Sequence, residues 1–332
     1  MSHIAVFGAG SWGTAFATIL AAGGNDVRVW GRRAELVAQI NAGSNDDYLP
    51  GARLSPRISA STSPAEVADG AEIVILSVPS QSLRANLSDW GSLLAGDRIV
   101  VSLMKGIELG TTRRMSEVIH EVAGVPVERI GVVSGPNLAK EIVQQQPAAS
   151  VVACPDLEAA NRVAAACSTS FFRPYTSTDV IGAELGGAVK NVIALAVGMA
   201  AGLGFGDNTK ATIITRGLAE TTRLAMALGA DPRTMSGLAG VGDLIATCMS
   251  PLSRNHSFGV KLGEGLSVAD VTEQTKQTAE GVKSCASILD LARAHGVDVP
   301  ITEQVTRVVH EGVSPQDMVG VLLGRARKHE TD

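Results

Sequence analysis

The stretch "IAVFGAGSWGTAFATIL", Ile4 to Leu20, joins a run of β-formers to a run of small helix-formers through three glycines, Gly8, Gly10 and Gly13. Their spacing is G-x-G-x-x-G, and the position between strand and helix gives each a task. Gly8 permits a tight turn, Gly10 lets the backbone approach a pyrophosphate, and Gly13 lets helix and strand pack closely. The free N–H groups and positive dipole end of the helix then hold phosphates. A lone glycine turn has structural uses too, but in this setting it reads as a dinucleotide site.

Outward from this turn, β-branched runs recur: "DVRVWG", "EIVILSVP", "RIVVSLMKG", "RIGVVSGP", "AASVVACP" and "FFRPYTS". Continuous apolar strands separated by crossovers predict a mostly parallel sheet covered on both faces. After Asp179 these runs stop, and Ala- and Leu-rich segments take over. The expected fold is α/β: a Rossmann-type doubly wound, mostly parallel sheet in residues 1–180, followed by an all-α domain in residues 181–332. The boundary falls near Thr178 to Ile181. A chain of 332 residues is long enough for two cores.

The formal net charge of -5 and the lack of a long basic run exclude a global nucleic-acid footprint. Cys154, Cys167, Cys248 and Cys285 are scattered without metal-ligand spacing, so neither a metal nor a disulfide framework is expected. "MSHIAVFGAG" carries no basic leader with a cleavage site, and a cytoplasmic protein is expected.

"GGAVKNVIALAVGMAAGLGFGDN", Gly186 to Asn208, invites a membrane reading. Its uncharged window, Val192 to Phe205, is shorter than the roughly 20 residues needed to span a bilayer. A buried helix is expected instead, with no membrane insertion. Gly187 and Lys190 share one face of it, with Asn191 above Gly187, so a small residue clears space beside two polar tips. Lys190 either snorkels out or serves chemistry.

Other polar residues also have two readings. Past the glycines, "VRVWGRRAEL" lacks the acid that usually binds the ribose hydroxyls of NAD. Arg32 and Arg33 stand there instead: they pair with a 2'-phosphate, or Arg32 stacks on adenine, or both are solvated. NADPH is favoured, with NADH tolerated. Lys105 in "SLMKGIE" closes a strand where ligands of such sheets bind, or is a surface lysine. Asn137 in "SGPNLAKEI" reads as a cap for a helix from about Leu138. Asp243 in "GLAGVGDL" reads as a cap or a site residue, and Ser253, Arg254 and Asn255 in "SPLSRNHSFG" as a solvated loop or an anion site.

Taken together, "GAGSWGTA", "MKGIE", "SGPNLAKEI", the Gly186–Asn208 stretch, "TRGLAE", "GLAGVGDL", "SPLSRNHSFG" and "AEGVKS" resemble, in order, the bacterial-type soluble NAD(P)-dependent sn-glycerol-3-phosphate dehydrogenases. The resemblance covers essentially the whole chain. It implies an active site in the cleft between a Rossmann and a helical domain, and reduction of dihydroxyacetone phosphate to the glycerol phosphate backbone of phospholipids. Cofactor contacts are implied at Gly8, Gly10, Ser11, Trp12, Gly13, Arg32, Arg33, Lys105, Ala139, Arg254, Thr278 and Glu280. Substrate contacts are implied at Lys105, Gly135, Asn137, Lys190, Asp243, Ser253, Arg254 and Asn255, with Lys190 the catalytic acid and base. Asn137 stands where the family often has Ser or Thr, Thr278 where it often has Val, and Met104 where a small residue is frequent. These departures bear on local contacts rather than on the activity.

The chemistry fits those residue types. Ketone reduction builds negative charge on an oxygen, which an ammonium polarises and protonates; a buried lysine near a second cation has the depressed pKa that the reverse step needs. Two other readings compete: a hydroxy-acid reductase of the same build, which would lack the Ser-Arg-Asn run, and a noncatalytic NADPH-binding redox sensor. The apolar helical half also has room for a homodimer interface.

Overall fold

The computed structural model describes residues 3–274, 279–324 and 329. Eight strands form one sheet: β1 (His3–Phe7), β2 (Asp26–Trp30), β3 (Ile58–Ser61), β4 (Ile73–Leu76), β5 (Ile99–Ser102), β6 (Ile130–Ser134), β7 (Ala148–Ala153) and β8 (Phe172–Ser177). Their spatial order is β3-β2-β1-β4-β5-β6-β7-β8. Neighbours are parallel except β6 and β7. Gly135, at φ 148°, turns the chain directly after β6, and it re-enters the sheet reversed as β7. From β8 onward the described residues form helices only, so the expected α/β class is the observed one.

β3 is absent from the runs picked out in the sequence. Its four residues, "ISAS", bury only Ile58 and show no apolar stretch. It is an edge strand, and one side chain finishes that edge. Asn41 Nδ2 donates to the Ala60 carbonyl at 3.0 Å, and the Ala60 N–H donates to Asn41 Oδ1 at 2.7 Å.

The strands read as continuous apolar runs because both faces are covered. Ile4 and Val6 pack with Phe16, Ile19 and Leu20 on one face, while Ala5 and Phe7 pack with Leu83, Leu87 and Trp90 on the other. The chain lays β2 and β3 on one side of β1, then crosses to lay β4 on the other. That reversal opens a crevice beyond the carboxyl ends of β1 and β4, where doubly wound sheets take their ligands. The turns are tight there: a Cβ on Gly8 would lie 2.3 Å from the Ser77 carbonyl oxygen, and one on Gly13 would lie 2.1 Å from the Gly8 oxygen.

The helical half is assembled on the helix Val180–Gly202, whose first turn is capped by Asp179 accepting from the Gly182 N–H at 2.9 Å. Of its most apolar 18-residue window 94% is buried inside the protein, so it is a core helix. Against it lies the helix Arg254–Gly263, backbone to backbone. A Cβ on Gly198 would sit 2.2 Å from the His256 oxygen, one on Gly202 2.1 Å from the Val260 oxygen, and one on Gly259 2.3 Å from the Leu195 oxygen. This contact carries the first turn of the second helix, with Arg254 and Asn255, to the side of Lys190 and Asn191. Overpacking of this kind costs about 1–3 kcal/mol or more, because neither backbone can step aside. Gly198→Ala is therefore expected to lower the urea midpoint clearly, while Gly320→Ala, exposed in the helix Pro315–Leu323 with nothing within 4 Å of its added Cβ, does not lower it. Equal midpoints for the two variants would show that the helices do not meet through their backbones.

Candidate active site

The crevice continues into a cleft of about 800 Å³ lined by both halves of the chain. Gly8, Gly10, Ser11, Trp12, Arg32, Arg33 and Ala139 line one end; Lys105, Asn137, Lys190, Ser253, Arg254, Asn255 and Glu280 line the other. Gly13 supports the glycine turn from behind, and Thr278 lies outside the described residues.

At the inner end, one carboxylate is shared by two ammonium groups. Asp243 is fully buried, at 0% exposure, and does not line the cleft. Its Oδ2 accepts from Lys105 Nζ at 2.5 Å, and its Oδ1 accepts from Lys190 Nζ. Lys190 also donates to Thr247 Oγ1 at 2.6 Å, and Lys105 to the Gly135 carbonyl at 3.1 Å. Asp243 is the first residue of the helix Asp243–Met249 and spends both oxygens on the lysines. The reading of it as a helix cap gives way to that of an ion-pair centre.

Lys190 is 7% exposed, and burial is the main reason its pKa falls from 10.5 to about 7. Asp243 pulls it back up and Lys105 pushes it further down. The room that Gly187 clears is taken by Lys105 rather than by Lys190 and Asn191: a Cβ there would lie 2.9 Å from Ser134 Oγ and 3.3 Å from the Lys105 side chain. Thr247 was not singled out in the sequence, although it stands four residues after Asp243 and hence on the same helix face.

Asn137 does not cap. The short helix that follows is Ala139–Val143, with Leu138 at its N-cap and no side-chain cap bond. Instead Asn137 Oδ1 accepts from Ser150 Oγ at 2.5 Å, and its Nδ2 is buried without a partner. Ser253 does cap, accepting from the His256 N–H at 3.3 Å. Asn255 donates to Asn191 Oδ1 at 2.9 Å and accepts from the Gly281 N–H at 2.9 Å, leaving its second amide hydrogen for a ligand. Arg254 keeps access to solvent at the cleft, yet protein crowding lowers its pKa from the ordinary value while Glu280 supports its charge. Glu280 is steadied across the seam by Ser80 Oγ, which donates to its Oε2 at 2.8 Å. Arg33 is paired with Asp47 at 2.8 Å, and Arg32 is exposed.

The outer end fits a dinucleotide. Gly10 lines the cleft with nothing within 4 Å of where its Cβ would be, so any side chain would occupy the space of a ligand. Trp12 Nε1, beside it, is a buried donor without a partner. Among the described residues no cluster of three or more His, Cys, Asp or Glu is arranged to hold a metal ion, and all four cysteines are buried free thiols.

Residues 3–160 match the family described as NAD-dependent glycerol-3-phosphate dehydrogenase N-terminus, and residues 179–320 match its C-terminus. A glycerol-3-phosphate dehydrogenase (NAD(P)+) of Streptomyces griseus is 63% identical over 327 residues, covering 98% of this chain and 97% of its own. One from Streptomyces coelicolor is 62% identical over the same length, with the same coverage. The crystal structure of glycerol-3-phosphate dehydrogenase from Coxiella burnetii superposes with a TM-score of 0.93 at 35% identity, covering 98% of this chain and 99% of its own. With family matches across both halves and relatives of this identity over nearly the full length, the chain belongs to the NAD-dependent glycerol-3-phosphate dehydrogenase family.

Proposed function

We infer that this chain carries out its family's reaction, the reversible NAD(P)H-dependent reduction of dihydroxyacetone phosphate to sn-glycerol 3-phosphate, with Lys190 as acid and base. The observation that carries this reading is the buried Lys190 ammonium at the inner end of the cleft, held by Asp243 and Thr247 and depressed to a pKa of about 7. A bound dihydronicotinamide supplies the hydride for the ketone carbon. As charge builds on the ketone oxygen, Lys190 donates its proton there; in the reverse direction its neutral amine removes the hydroxyl proton. Lys105 adds positive potential beside that oxygen, and Asp243 fixes both Nζ atoms without entering the cleft. Arg254 and Asn255 offer a planar guanidinium and an amide donor to the phosphate, which separates the anchoring end of the substrate from the reacting end.

The two arginines beyond β2 favour NADPH, with NADH tolerated. We place the domain boundary between residues 180 and 181, supported by the end of β8 at Ser177 and the start of the core helix at Val180. Four buried free thiols accord with a reducing cytoplasm, and half-exposed Ile245 and Met249 support a homodimer. A hydroxy-acid substrate has no phosphate for Arg254. Loss of NADPH absorbance with dihydroxyacetone phosphate, but not with nonphosphorylated ketones or acids, is the direct test.

Three kinetic outcomes follow from this geometry. Lys190→Ala is expected to lower kcat by roughly two to four orders of magnitude while NADPH still binds, and a near-normal kcat would remove Lys190 from the chemistry. Arg254→Ala is expected to raise KM for dihydroxyacetone phosphate by about tenfold to a hundredfold, as loss of a charged hydrogen bond does; an unchanged KM would put the phosphate elsewhere. The third concerns pH. Reduction needs the ammonium, so its kcat should fall as pH rises through about 7, whereas oxidation needs the amine and should rise over the same range. Profiles that move together in both directions would separate Lys190 from the proton transfer.

A further inference from the structure

Behind Arg33, at the outer end of the cleft, stands a carboxylate that does not line the cleft and that the reaction does not use. Arg33 Nη2 donates to Asp47 Oδ2 at 2.8 Å, and Gln39 Nε2 holds the other oxygen at 3.3 Å. The guanidinium also lies 5.7 Å from the centre of the Tyr48 ring. Asp47 belongs to a segment fastened to the glycine turn. Neighbouring Asn45, fully buried, donates through Nδ2 to the Ala9 carbonyl at 3.1 Å and to Thr14 Oγ1 at 2.8 Å. Ser11 Oγ donates to the Tyr48 carbonyl at 3.3 Å. The segment that grips the phosphate turn therefore also sets a negative charge against Arg33. Arg32, which lines the same end of the cleft, has no ion-pair partner among the described residues.

We propose that Asp47 determines cofactor specificity: by engaging Arg33 it weakens the hold of the arginine pair on a 2'-phosphate and leaves the cleft open to NADH as well as NADPH. The proposal rests on the reading that places the adenosine ribose beside Arg32 and Arg33. A 2'-phosphate carries close to two negative charges; it must replace the carboxylate on Arg33 and then lie near the charge it displaced. A ribose 2'-hydroxyl brings no charge and leaves the ion pair in place. Asp47 thus opposes one cofactor and is indifferent to the other. Both side chains are about half exposed, at 51% and 38%, so the pair is weak enough for a phosphate to replace it.

The test uses the full chain and two probes that differ by the 2'-phosphate alone, adenosine 2',5'-bisphosphate and 5'-AMP, titrated by calorimetry. Asp47→Asn keeps the shape and the Gln39 contact and removes the charge. It is expected to raise the affinity ratio of bisphosphate to monophosphate by about twofold to fivefold, within the range of one exposed ion pair. Arg33→Ala is expected to lower that ratio, and Asp47→Asn should have no further effect in the Arg33→Ala background. If Arg33→Ala lowers the ratio but Asp47→Asn leaves it unchanged, the proposal is wrong while the placement of the ribose stands. The proposal fails equally if Asp47→Asn raises the ratio as much in the double variant, because Arg33 is then not the intermediary. If Arg33→Ala leaves the ratio unchanged, the ribose lies elsewhere and both statements fail.

Discussion

A single buried carboxylate shared by two ammonium groups is the constraint on which the site depends. Lys105 comes from the loop after β5, Lys190 from the core helix and Asp243 from the start of a later helix, so three separate pieces of chain must converge on two oxygens. Buried charges are tolerated only when paired and hydrogen-bonded. Two cations against one anion leave an excess positive charge, which burial penalises. Release of a proton from Lys190 restores balance without moving a side chain, and this is why its pKa lies near neutrality rather than near 10.5. In the proposed reaction the imbalance is also useful, because the oxygen that becomes negative during hydride transfer would supply the missing charge.

The two halves are joined by more than the cleft. Glu184 on the core helix accepts from Arg114 at 2.7 Å and from the Ser116 N–H at 2.8 Å, and Ser287 donates to the Ile107 carbonyl at 2.8 Å. With the Ser80 to Glu280 bond, these contacts pin the helical half to the sheet at several points along the seam. The helices themselves are locked by glycine contacts, so Arg254 and Asn255 are set on a rigid element beside Lys190.

What the sequence revealed and what it concealed divide along physical lines. The glycine turn was legible because its function is local: strand, turn and helix dipole lie within a few consecutive residues. Lys190 was legible as a charge in an apolar helix, which burial makes conspicuous. Asn137 and Asp243 carried local cap readings that the fold overrode. Ser150 and the two lysines, all distant in sequence, claim those side chains first. Thr247 was marked only by its four-residue spacing from Asp243, and Asp47 leaves no pattern because its partner is known only once the chain is folded. β3 escaped because an edge strand of four residues needs just one buried side chain.

That edge has a consequence for the protein among its neighbours. The N–H and carbonyl of Ala60 point away from β2, toward the position a ninth strand would take, and the Asn41 carboxamide pairs with both. The next outward N–H, that of Ile58, is already spent on the Ser55 carbonyl at 2.9 Å. A carboxamide has the donor and acceptor geometry of a peptide group but no chain to continue it. The sheet thus ends in an imitation of one more residue, and a foreign strand in a crowded solution finds the template already occupied.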